Sequence, residues 1–258
     1  MSPTELEGLA GTEFDGAVAI VTGGASGLGA ATAALLHARG ARVAVFDRQV
    51  EGVPADYFSV VCDISDTAQV GAAVASVAEH FGGIDILINN AAIGATGDVA
   101  ANDDDEWHRV LDVNVVGLAR VTRAALPYLR LSTKASIVNT SSVAATVGVP
   151  ARALYTATKG AVSALTRAMA ADHVREGIRV NGVEPGTSDT PWVGRLLEAA
   201  DDPDAAGRAL RQRQPMGRLV EPNEVANAIA YLASPRSAST TGTMLPVDGG
   251  MSGLQLPS

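Results

Sequence analysis

The stretch AVAIVTGGASGLG, residues 17–29, joins a short apolar run directly to a glycine-rich loop. A nearly continuous run of β-branched and small apolar residues is typical of a strand buried on both faces of a parallel sheet. Glycines allow a tight turn and a close approach to a ligand, and the helix that follows offers free N–H groups and a positive dipole end. This order of strand, glycine loop and helix predicts an α/β fold with a diphosphate-binding site.

Similar apolar runs recur along the chain, separated by longer alanine-rich segments with helical character. This alternation predicts a doubly wound, Rossmann-like α/β fold: one domain, built on a parallel seven-stranded sheet. We expect residues 1–14 to form a loose arm and residues 15–258 to form the domain. The predicted strands are residues 17–22, 42–46, 58–62, 84–88, 135–140, 178–183 and 243–247.

Two segments allow more detailed predictions. The helix after the glycine loop is expected to end at Gly40, and its predicted buried face consists of Leu28, Ala31, Ala34, Leu35 and Ala38. Residues 188–215 break the alternation and contain glycine, proline and several charges. We expect this segment to be a lid over a pocket or, alternatively, a surface insertion.

The second predicted strand ends at Asp47, about 20 residues after the glycine loop, where a dinucleotide site places an acid against ribose hydroxyls. A carboxylate there repels a 2′-phosphate, so the sequence favours NAD over NADP. Arg48 follows immediately and would partly offset this repulsion, although we interpret it as a solvated turn residue.

Composition excludes several function classes. The net charge of −9 argues against nucleic acids and anionic membranes as partners. One cysteine, Cys62, permits no internal disulfide, and the four histidines lack the spacing of a metal site, so no metal is expected. The acidic N-terminal residues do not resemble a signal peptide, and no apolar run reaches membrane-spanning length. We expect a cytoplasmic protein.

The segment ALYTATKGAV, residues 153–162, places Tyr155 and Lys159 one helical turn apart. A cation beside a phenol favours the ionised form, so Tyr155 would be able to exchange protons nearer neutral pH. The alternative interpretation of this pair alone is an amphipathic helix with one exposed lysine.

Further motifs connect this pair to the glycine loop. They are TGGASGLG (22–29), CDIS (62–65), NNAA (89–92), NVVG (114–117), SIVNTSS (136–142), YTATK (155–159) and NGVEPGTSDT (181–190). In their order and spacing they resemble the motifs of the short-chain dehydrogenase/reductase family, over nearly the whole chain. Two positions depart from the family pattern: Ala92 replaces a usual glycine, and Ser188 stands where an apolar residue is frequent.

The resemblance implies a catalytic set of Asn114, Ser142, Tyr155 and Lys159. In the family, Tyr155 would be the general acid/base, Lys159 would lower its pKa and bind ribose hydroxyls, Ser142 would bind the substrate oxygen, and Asn114 would hold a water that links Lys159 to solvent. The implied cofactor-binding residues are Gly23, Ser26, Gly27, Leu28, Gly29, Asp47, Arg48, Asp63, Ile64, Asn90, Ala91, Tyr155, Lys159, Pro185, Gly186, Ser188 and Thr190. The implied substrate-binding residues are Ser142, Ala144, Val149, Arg152, Tyr155, Glu184 and Trp192.

The function that this resemblance implies is hydride transfer between NAD and a secondary alcohol or ketone. Residues 186–197 and 247–257 are most similar to members that act on sugars or sugar acids. Two alternatives stay open: a ketone, steroid or ketoacyl reductase of the same fold, and a dinucleotide-binding regulator without turnover. The family also pairs the helix that carries Tyr155 with its copy in a second subunit, so we expect a homotetramer or, failing that, a dimer.

Overall fold

A seven-stranded parallel sheet forms the centre of the molecule. The computed structural model describes residues 13–198 and 200–256. The strands are β1 (Val18–Thr22), β2 (Arg42–Asp47), β3 (Phe58–Val61), β4 (Ile86–Asn89), β5 (Ser136–Thr140), β6 (Arg179–Pro185) and β7 (Met244–Val247). Their order in the sheet is β3-β2-β1-β4-β5-β6-β7, and every neighbouring pair is parallel. The predicted sheet is confirmed.

Helices cover both faces of this sheet. The α-helices in the described part of the chain are α1 (Gly27–Ala38), α2 (Thr67–Phe81), α3 (Asp104–Leu111), α4 (Leu118–Leu129), α5 (Ala153–His173), α6 (Pro191–Glu198), α7 (Pro203–Gln212) and α8 (Pro222–Ala233). A π-helical segment, Asp112–Gly117, joins α3 to α4.

Successive residues of β1 explain the continuous apolar runs. Ile20 belongs to the core cluster that also contains residues of α2, α4 and α5, whereas Val21 belongs to the opposite cluster with residues of α1 and α8. Side chains of a strand alternate between faces, so a strand covered on both faces needs apolar residues at every position. The sheet is therefore doubly wound within one domain.

The predicted buried face of α1 is wrong by one residue. The residues that this helix buries are Gly29, Thr32, Ala33 and Leu36, and not Leu28, Ala31, Ala34, Leu35 and Ala38. Close packing of Gly29 sets the rotation of the helix, because a Cβ atom at this position would lie 2.1 Å from the carbonyl oxygen of Gly23. Only a residue without a side chain fits there, and the rest of the face follows from it.

The ordered domain extends further toward the N-terminus than predicted. Phe14 is buried in the core, and its N–H donates to the carbonyl of Arg39 at 2.9 Å. Glu13 forms an ion pair with the same arginine at 3.0 Å. Residues 13 and 14 are thus part of the domain and not of a loose arm. Residues 1–12 of that arm, and Pro257 in the C-terminal stretch, lie outside the described residues.

The topology opens a crevice at one edge of the sheet. β1 lies between β2 and β4, so the chain leaves β1 toward one side of the sheet and later returns on its other side. Parallel α/β sheets bind ligands at this point, outside the carboxyl ends of the strands. The glycine loop, Asp47 and Ser142 all follow or end strands at this edge. In the described residues, no helix is both long and apolar enough to cross a membrane.

Candidate active site

A cavity of about 650 Å³ lies along the carboxyl ends of the strands. It extends from the glycine loop to α6 and α7, so part of segment 188–215 forms its wall. Most of the predicted site residues line it: Gly23, Ser26, Gly27, Leu28, Asp47, Arg48, Asp63, Ile64, Asn90, Ala91, Ser142, Ala144, Val149, Arg152, Tyr155, Lys159, Pro185, Gly186, Ser188, Thr190 and Trp192. Three predicted residues, Gly29, Asn114 and Glu184, are not part of the lining.

The glycine loop is held by contacts from two neighbouring strands. The carboxylate of Asp47 accepts a hydrogen bond from the N–H of Ala25 at 3.1 Å. The side-chain amide of Asn90 donates to the carbonyls of Thr22 and Gly23 at 3.1 and 3.2 Å. Gly29 acts from behind the loop by letting α1 approach Gly23, as described above. The loop is therefore fixed in place by the acid at the end of β2 and the amide after β4.

Asp63 forms the outer end of the cavity, beyond β3. Its carboxylate accepts hydrogen bonds from the N–H and the hydroxyl of Ser65 at 2.9 and 2.6 Å, and these bonds lower its pKa. Arg48 approaches the same carboxylate at 3.9 Å, and 75% of its side chain is exposed. Arg48 thus lies at the rim with a carboxylate neighbour, in agreement with a mostly solvated turn residue.

Ser142, Tyr155 and Lys159 meet on the wall beside β5. Ser142 lies two residues after the end of β5 and caps a short 3₁₀ turn, its hydroxyl accepting from the N–H of Ala144 at 3.1 Å. Tyr155 and Lys159 lie on the first turns of α5, with the ammonium nitrogen 5.7 Å from the centre of the phenol ring. The Lys159 ammonium is buried and donates to the carbonyl of Thr140 at 2.9 Å.

Burial has opposite effects on the two titratable groups. It raises the pKa of Tyr155, while the neighbouring hydroxyl of Ser142 and the charge of Arg152 lower it. Burial also lowers the pKa of Lys159 from its usual 10.5 to about 8. The groups that favour the phenolate here are thus Ser142 and Arg152. The sequence had assigned this effect to Lys159, whose ammonium is instead directed at the Thr140 carbonyl.

Asn114 connects three parts of the fold. It lies in the π-helical segment and is buried. Its side-chain oxygen accepts from the N–H of Ile93 at 2.8 Å, and its nitrogen donates to the Ile93 carbonyl at 2.9 Å and to the Thr158 hydroxyl at 3.1 Å. The amide therefore joins the loop after β4 to α5, next to Lys159. Its side chain positions these elements and does not line the cavity, and its role in holding a water stays a prediction.

Glu184 is also corrected. Its side chain is buried on β6, away from the cavity, where its two oxygens accept from the hydroxyls of Thr146 and Ser163 at 3.0 and 2.8 Å. Ser163 in turn contacts the hydroxyl of Ser141, which donates to the Lys159 carbonyl. This carboxylate belongs to a buried hydroxyl network that fastens α5 to the sheet, so it is not a substrate contact.

Trp192 and Arg152 form the far wall of the cavity. The guanidinium carbon of Arg152 lies 5.6 Å from the centre of the Trp192 ring. The indole also packs on Gly94 so closely that a Cβ atom there would lie 2.6 Å from it. Arg152 donates to the Ala95 carbonyl and the Thr96 hydroxyl at 3.0 and 2.9 Å. The pair is thus held between the loop after β4 and the start of α6.

Several further lining residues were not predicted individually. They include Gly94, Arg109, Thr187, Val193, Arg195, Leu196, Leu210, Arg213 and Met251. Thr187 belongs to the NGVEPGTSDT motif, whereas most of the others lie in segment 188–215. Thr22 was also missed: its hydroxyl accepts from the N–H groups of Asn90 and Ala91, both at 3.0 Å, and so joins the ends of β1 and β4. The position of this threonine, at the end of a strand and directly before the glycine loop, could have indicated its role in the site.

The residues present fit a nicotinamide dinucleotide. Gly29 keeps space free of side-chain atoms beside the loop and lets the N-terminus of α1 face the cavity, which suits a diphosphate. Asp47 offers an acceptor for ribose hydroxyls at the end of β2. Among residues 13–198 and 200–256, no group of three His, Cys, Asp or Glu side chains is arranged to hold a metal ion.

Comparison with known proteins agrees with this geometry. Residues 23–252 match the family model described as enoyl-(acyl carrier protein) reductase. The chain is 34% identical over 248 residues to 3-oxoacyl-(acyl-carrier-protein) reductase FabG of Thermotoga maritima, covering 92% of this chain and 98% of that protein. It is 38% identical over 255 residues to cis-4-hydroxycyclohexanecarboxylate dehydrogenase of Sinomonas cyclohexanicum, covering 93% and 98%.

Solved structures give the same result. The ligand-free aldohexose dehydrogenase of Thermoplasma acidophilum superposes with a TM-score of 0.90 at 34% identity, covering 96% of this chain and 99% of that one. The relatives and the solved structure are named as reductases and dehydrogenases, in agreement with the fold of this chain. The chain belongs to the short-chain dehydrogenase/reductase family and is an oxidoreductase.

Proposed function

We propose that this oxidoreductase uses NAD to interconvert a secondary alcohol and its ketone. The observation that carries the proposal is the grouping of Ser142, Tyr155 and Lys159 on one wall of the cavity whose other end holds Asp47. A hydroxyl, a phenol and an ammonium are the groups that proton transfer to and from a substrate oxygen requires. Bound NAD would supply the hydride acceptor for alcohol oxidation, and its reduced form the donor for the reverse reaction.

Each of these side chains has its own part in this proposal. In oxidation, Tyr155 removes the hydroxyl proton while the carbon gives up its hydride, and in reduction it returns that proton to the oxygen. The Ser142 hydroxyl donates to the substrate oxygen as negative charge develops there. Lys159 binds ribose hydroxyls and places a positive charge near the phenol. Asn114 positions Lys159 by joining α5 to the loop after β4.

NAD is preferred over NADP in this proposal. Asp47 lines the cavity at the end of β2, where the ribose of the adenosine half is expected. Its carboxylate would accept hydrogen bonds from two free hydroxyls and would repel a phosphate in their place. Arg48 lies beside Asp63 at 3.9 Å, so part of its charge is balanced and it does little to attract that phosphate.

A sugar or sugar acid is one substrate class for this site, in keeping with the similarity to the aldohexose dehydrogenase. A ketoacyl or other ketone reductase is the alternative, in keeping with the similarity to the acyl-carrier-protein reductase. We place the enzyme in the cytoplasm because its single cysteine, Cys62, permits no internal disulfide, so the fold needs no oxidising compartment.

A steady-state assay tests the proposal directly. The purified chain is screened with NAD and a panel of secondary alcohols, sugars and sugar acids, following the absorbance of the reduced cofactor. We expect turnover with at least one class, and a loss of about 1,000-fold or more in Tyr155→Phe, which keeps the ring but removes the proton-transferring oxygen. NAD affinity measured by calorimetry should stay within about threefold in this variant. Substantial activity of Tyr155→Phe would assign the proton transfer to another group.

A further inference from the structure

The charges that line the cavity are unevenly distributed. In the described part of the chain, the acidic side chains that line it are Asp47 and Asp63, and both lie at the end formed by β2 and β3. The end formed by α5, α6 and α7 carries Arg152, Arg195 and Arg213. A strongly positive region is unexpected by chance in a chain whose net charge is −9. The cavity therefore has an acidic end and a basic end.

The three arginines of the basic end have no carboxylate partner among the described side chains. Elsewhere in the cavity, Arg48 lies 3.9 Å from Asp63 and Arg109 lies 3.7 Å from Glu106. The hydrogen bonds of Arg152, by contrast, go to a carbonyl and a hydroxyl, which are uncharged. Charge at the basic end is therefore not balanced by the described part of the protein.

Two of these arginines lie on firmly held backbone. Arg152 follows Ala151, whose φ of 54° is rare for a residue other than glycine, and Gly97 donates to the Ala151 carbonyl at 2.9 Å. Arg213 directly precedes Gln214, which is 1% exposed and donates to the carbonyls of Thr187 and Arg218 at 3.2 and 2.7 Å. Both guanidinium groups are thus presented from fixed points rather than from mobile loops.

Arg152 and Arg213 line the same end of the cavity, so their positive charges face a common space. Burial lowers the pKa of Arg152, the charge of Arg213 lowers it further, and the phenol of Tyr155 raises it. Two like charges held together without a counterion are unfavourable, and an anion placed between them would relieve this repulsion. Because Arg152 directly precedes the helix that carries Tyr155 and both residues line the cavity, such an anion would bind in the same cavity as the reacting oxygen.

We propose that the substrate is a hydroxy acid or keto acid whose carboxylate binds Arg152 and Arg213 while its alcohol or ketone carbon faces Ser142 and Tyr155. The planar guanidinium group matches a carboxylate through two parallel hydrogen bonds. Trp192, packed between Arg152 and Gly94, offers an apolar surface for the carbon atoms that separate the two groups. Arg195, one turn after Trp192 on α6, attracts the anion to the entrance. This inference rests on the proposed alcohol dehydrogenase function and specifies its substrate.

The test compares acids with their neutral counterparts. Hydroxy acids of four to eight carbons and their methyl esters are assayed with NAD on the wild type and on Arg213→Gln. We expect the wild type to prefer the acids, and the variant to lose about 100-fold in kcat/KM for acids, mainly through KM, with esters changed by less than about threefold. Arg208→Gln is the matched control, because Arg208 is exposed on α7, the helix that ends just before Arg213, and does not line the cavity.

A binding measurement separates this inference from the function on which it rests. Cyclohexanecarboxylate and cyclohexanecarboxamide are titrated into the protein with NAD present, which requires no turnover. Tighter binding of the carboxylate, lost in Arg213→Gln but kept in Arg208→Gln, supports the anion site even if no tested alcohol is oxidised. The carboxylate site would be overturned by any of three results: equal binding of both probes, equal use of acids and esters, or a preference for phosphorylated alcohols over carboxylates. Equal binding or equal use would still leave the proposed alcohol oxidation intact.

Discussion

The buried ammonium of Lys159 makes stability depend on pH. Its pKa is about 8 in the folded protein and 10.5 for an unperturbed lysine, so below pH 8 the protonated side chain costs the folded state roughly 3 kcal/mol. Between these two values the folded protein releases the proton while the unfolded chain keeps it. The contribution of Lys159 to the free energy of unfolding therefore rises by this amount between about pH 8 and 10.5, while the raised pKa of Cys62 acts in the opposite direction above about pH 9.

We expect Lys159→Met to remove this dependence. The variant should gain stability relative to the wild type at pH 7, and that gain should shrink steadily toward pH 10, because only the wild type benefits from deprotonation. Urea unfolding followed by circular dichroism at pH 7, 8.5 and 9.8 measures the difference. Above pH 10 the raised pKa of Tyr155 acts in the opposite direction, so higher values are avoided. A difference independent of pH would mean that Lys159 does not titrate in this range.

Asp47 leads to a second prediction about a single side chain. Asp47→Ala should lower kcat/KM with NAD and raise it with NADP, each by about tenfold, because the variant loses one acceptor and one repulsive charge. Steady-state assays with both cofactors measure this. Asp47→Asn is the informative control, since it removes the charge but keeps an oxygen that can accept from Ala25. The charge explanation requires that Asp47→Asn also admits NADP; a wild type that already prefers NADP would contradict it.

The sequence predicted correctly those cavity-lining residues that belong to local motifs. Ser142, Tyr155 and Asp47 each follow or begin an element whose position the pattern reveals, and each lines the cavity. Glu184 was misassigned because its neighbours in the chain say nothing about Thr146 and Ser163, which contact it from other elements. Arg213 was missed for the same reason: its place at the cavity depends on the contact of the next residue, Gln214, with Thr187, which lies far from it in the chain.

At the level of elements, the junction between β1 and α1 depends on one close contact. In Gly29→Ala, the new methyl group would lie 2.1 Å from the carbonyl of Gly23 and 2.6 Å from the amide of Asn90. Backbone must then move, and we expect a loss of about 1–3 kcal/mol in stability together with at least about tenfold weaker NAD binding. Urea unfolding and calorimetry measure the two effects.

Gly71→Ala supplies the control for this prediction. Gly71 lies inside α2, exposed, with no atom within 4 Å of an added Cβ atom. Alanine is the better helix former there, so stability should rise by up to about 1 kcal/mol with NAD binding unchanged. If Gly29→Ala and Gly71→Ala change stability and NAD affinity equally, the close approach of α1 to the glycine loop is not what supports NAD binding.

Strands could be located from the sequence because a sheet covered on both faces leaves a simple signal. Most strand positions are apolar, so the runs themselves mark the elements. Helices carry a weaker signal in this alanine-rich chain, where small residues occupy buried and exposed positions alike. Leu28 and Leu35 are only partly buried and so are a poor guide to the face of α1, whose rotation is set by Gly29. The π-helical turn that carries Asn114 has no pattern of its own.

At the level of the whole molecule, the outward face of α5 carries several small side chains. Ala164, Ala168 and Ala171 are exposed, and an added Cβ atom at Gly160 would meet nothing within 4 Å. Small side chains let two helices approach closely, and closed two-fold assemblies are the common form of soluble homo-oligomers. We propose that this face pairs with its copy in a second subunit, within a homotetramer or a dimer.

Charge on this face should therefore dissociate the assembly. We expect the wild type to scatter light as a multiple of the 26.2 kDa chain, and Ala164→Arg combined with Ala168→Arg to give a smaller particle at micromolar concentration. Ala72→Arg, at an exposed position of α2, should leave the mass unchanged. A wild type with the mass of one chain would refute both the tetramer and the dimer.

The packing of Arg152 on Trp192 gives the substrate end of the cavity an optical signal. Trp107, the other tryptophan of the chain, packs with Val110 and Leu154 instead. Replacing it with phenylalanine would leave one indole, at the wall that a substrate touches. Indole fluorescence shifts to shorter wavelength when water leaves its surroundings, so the emission colour would follow α6 as a ligand enters. Ligands can then be identified by fluorescence titration, before any substrate is known.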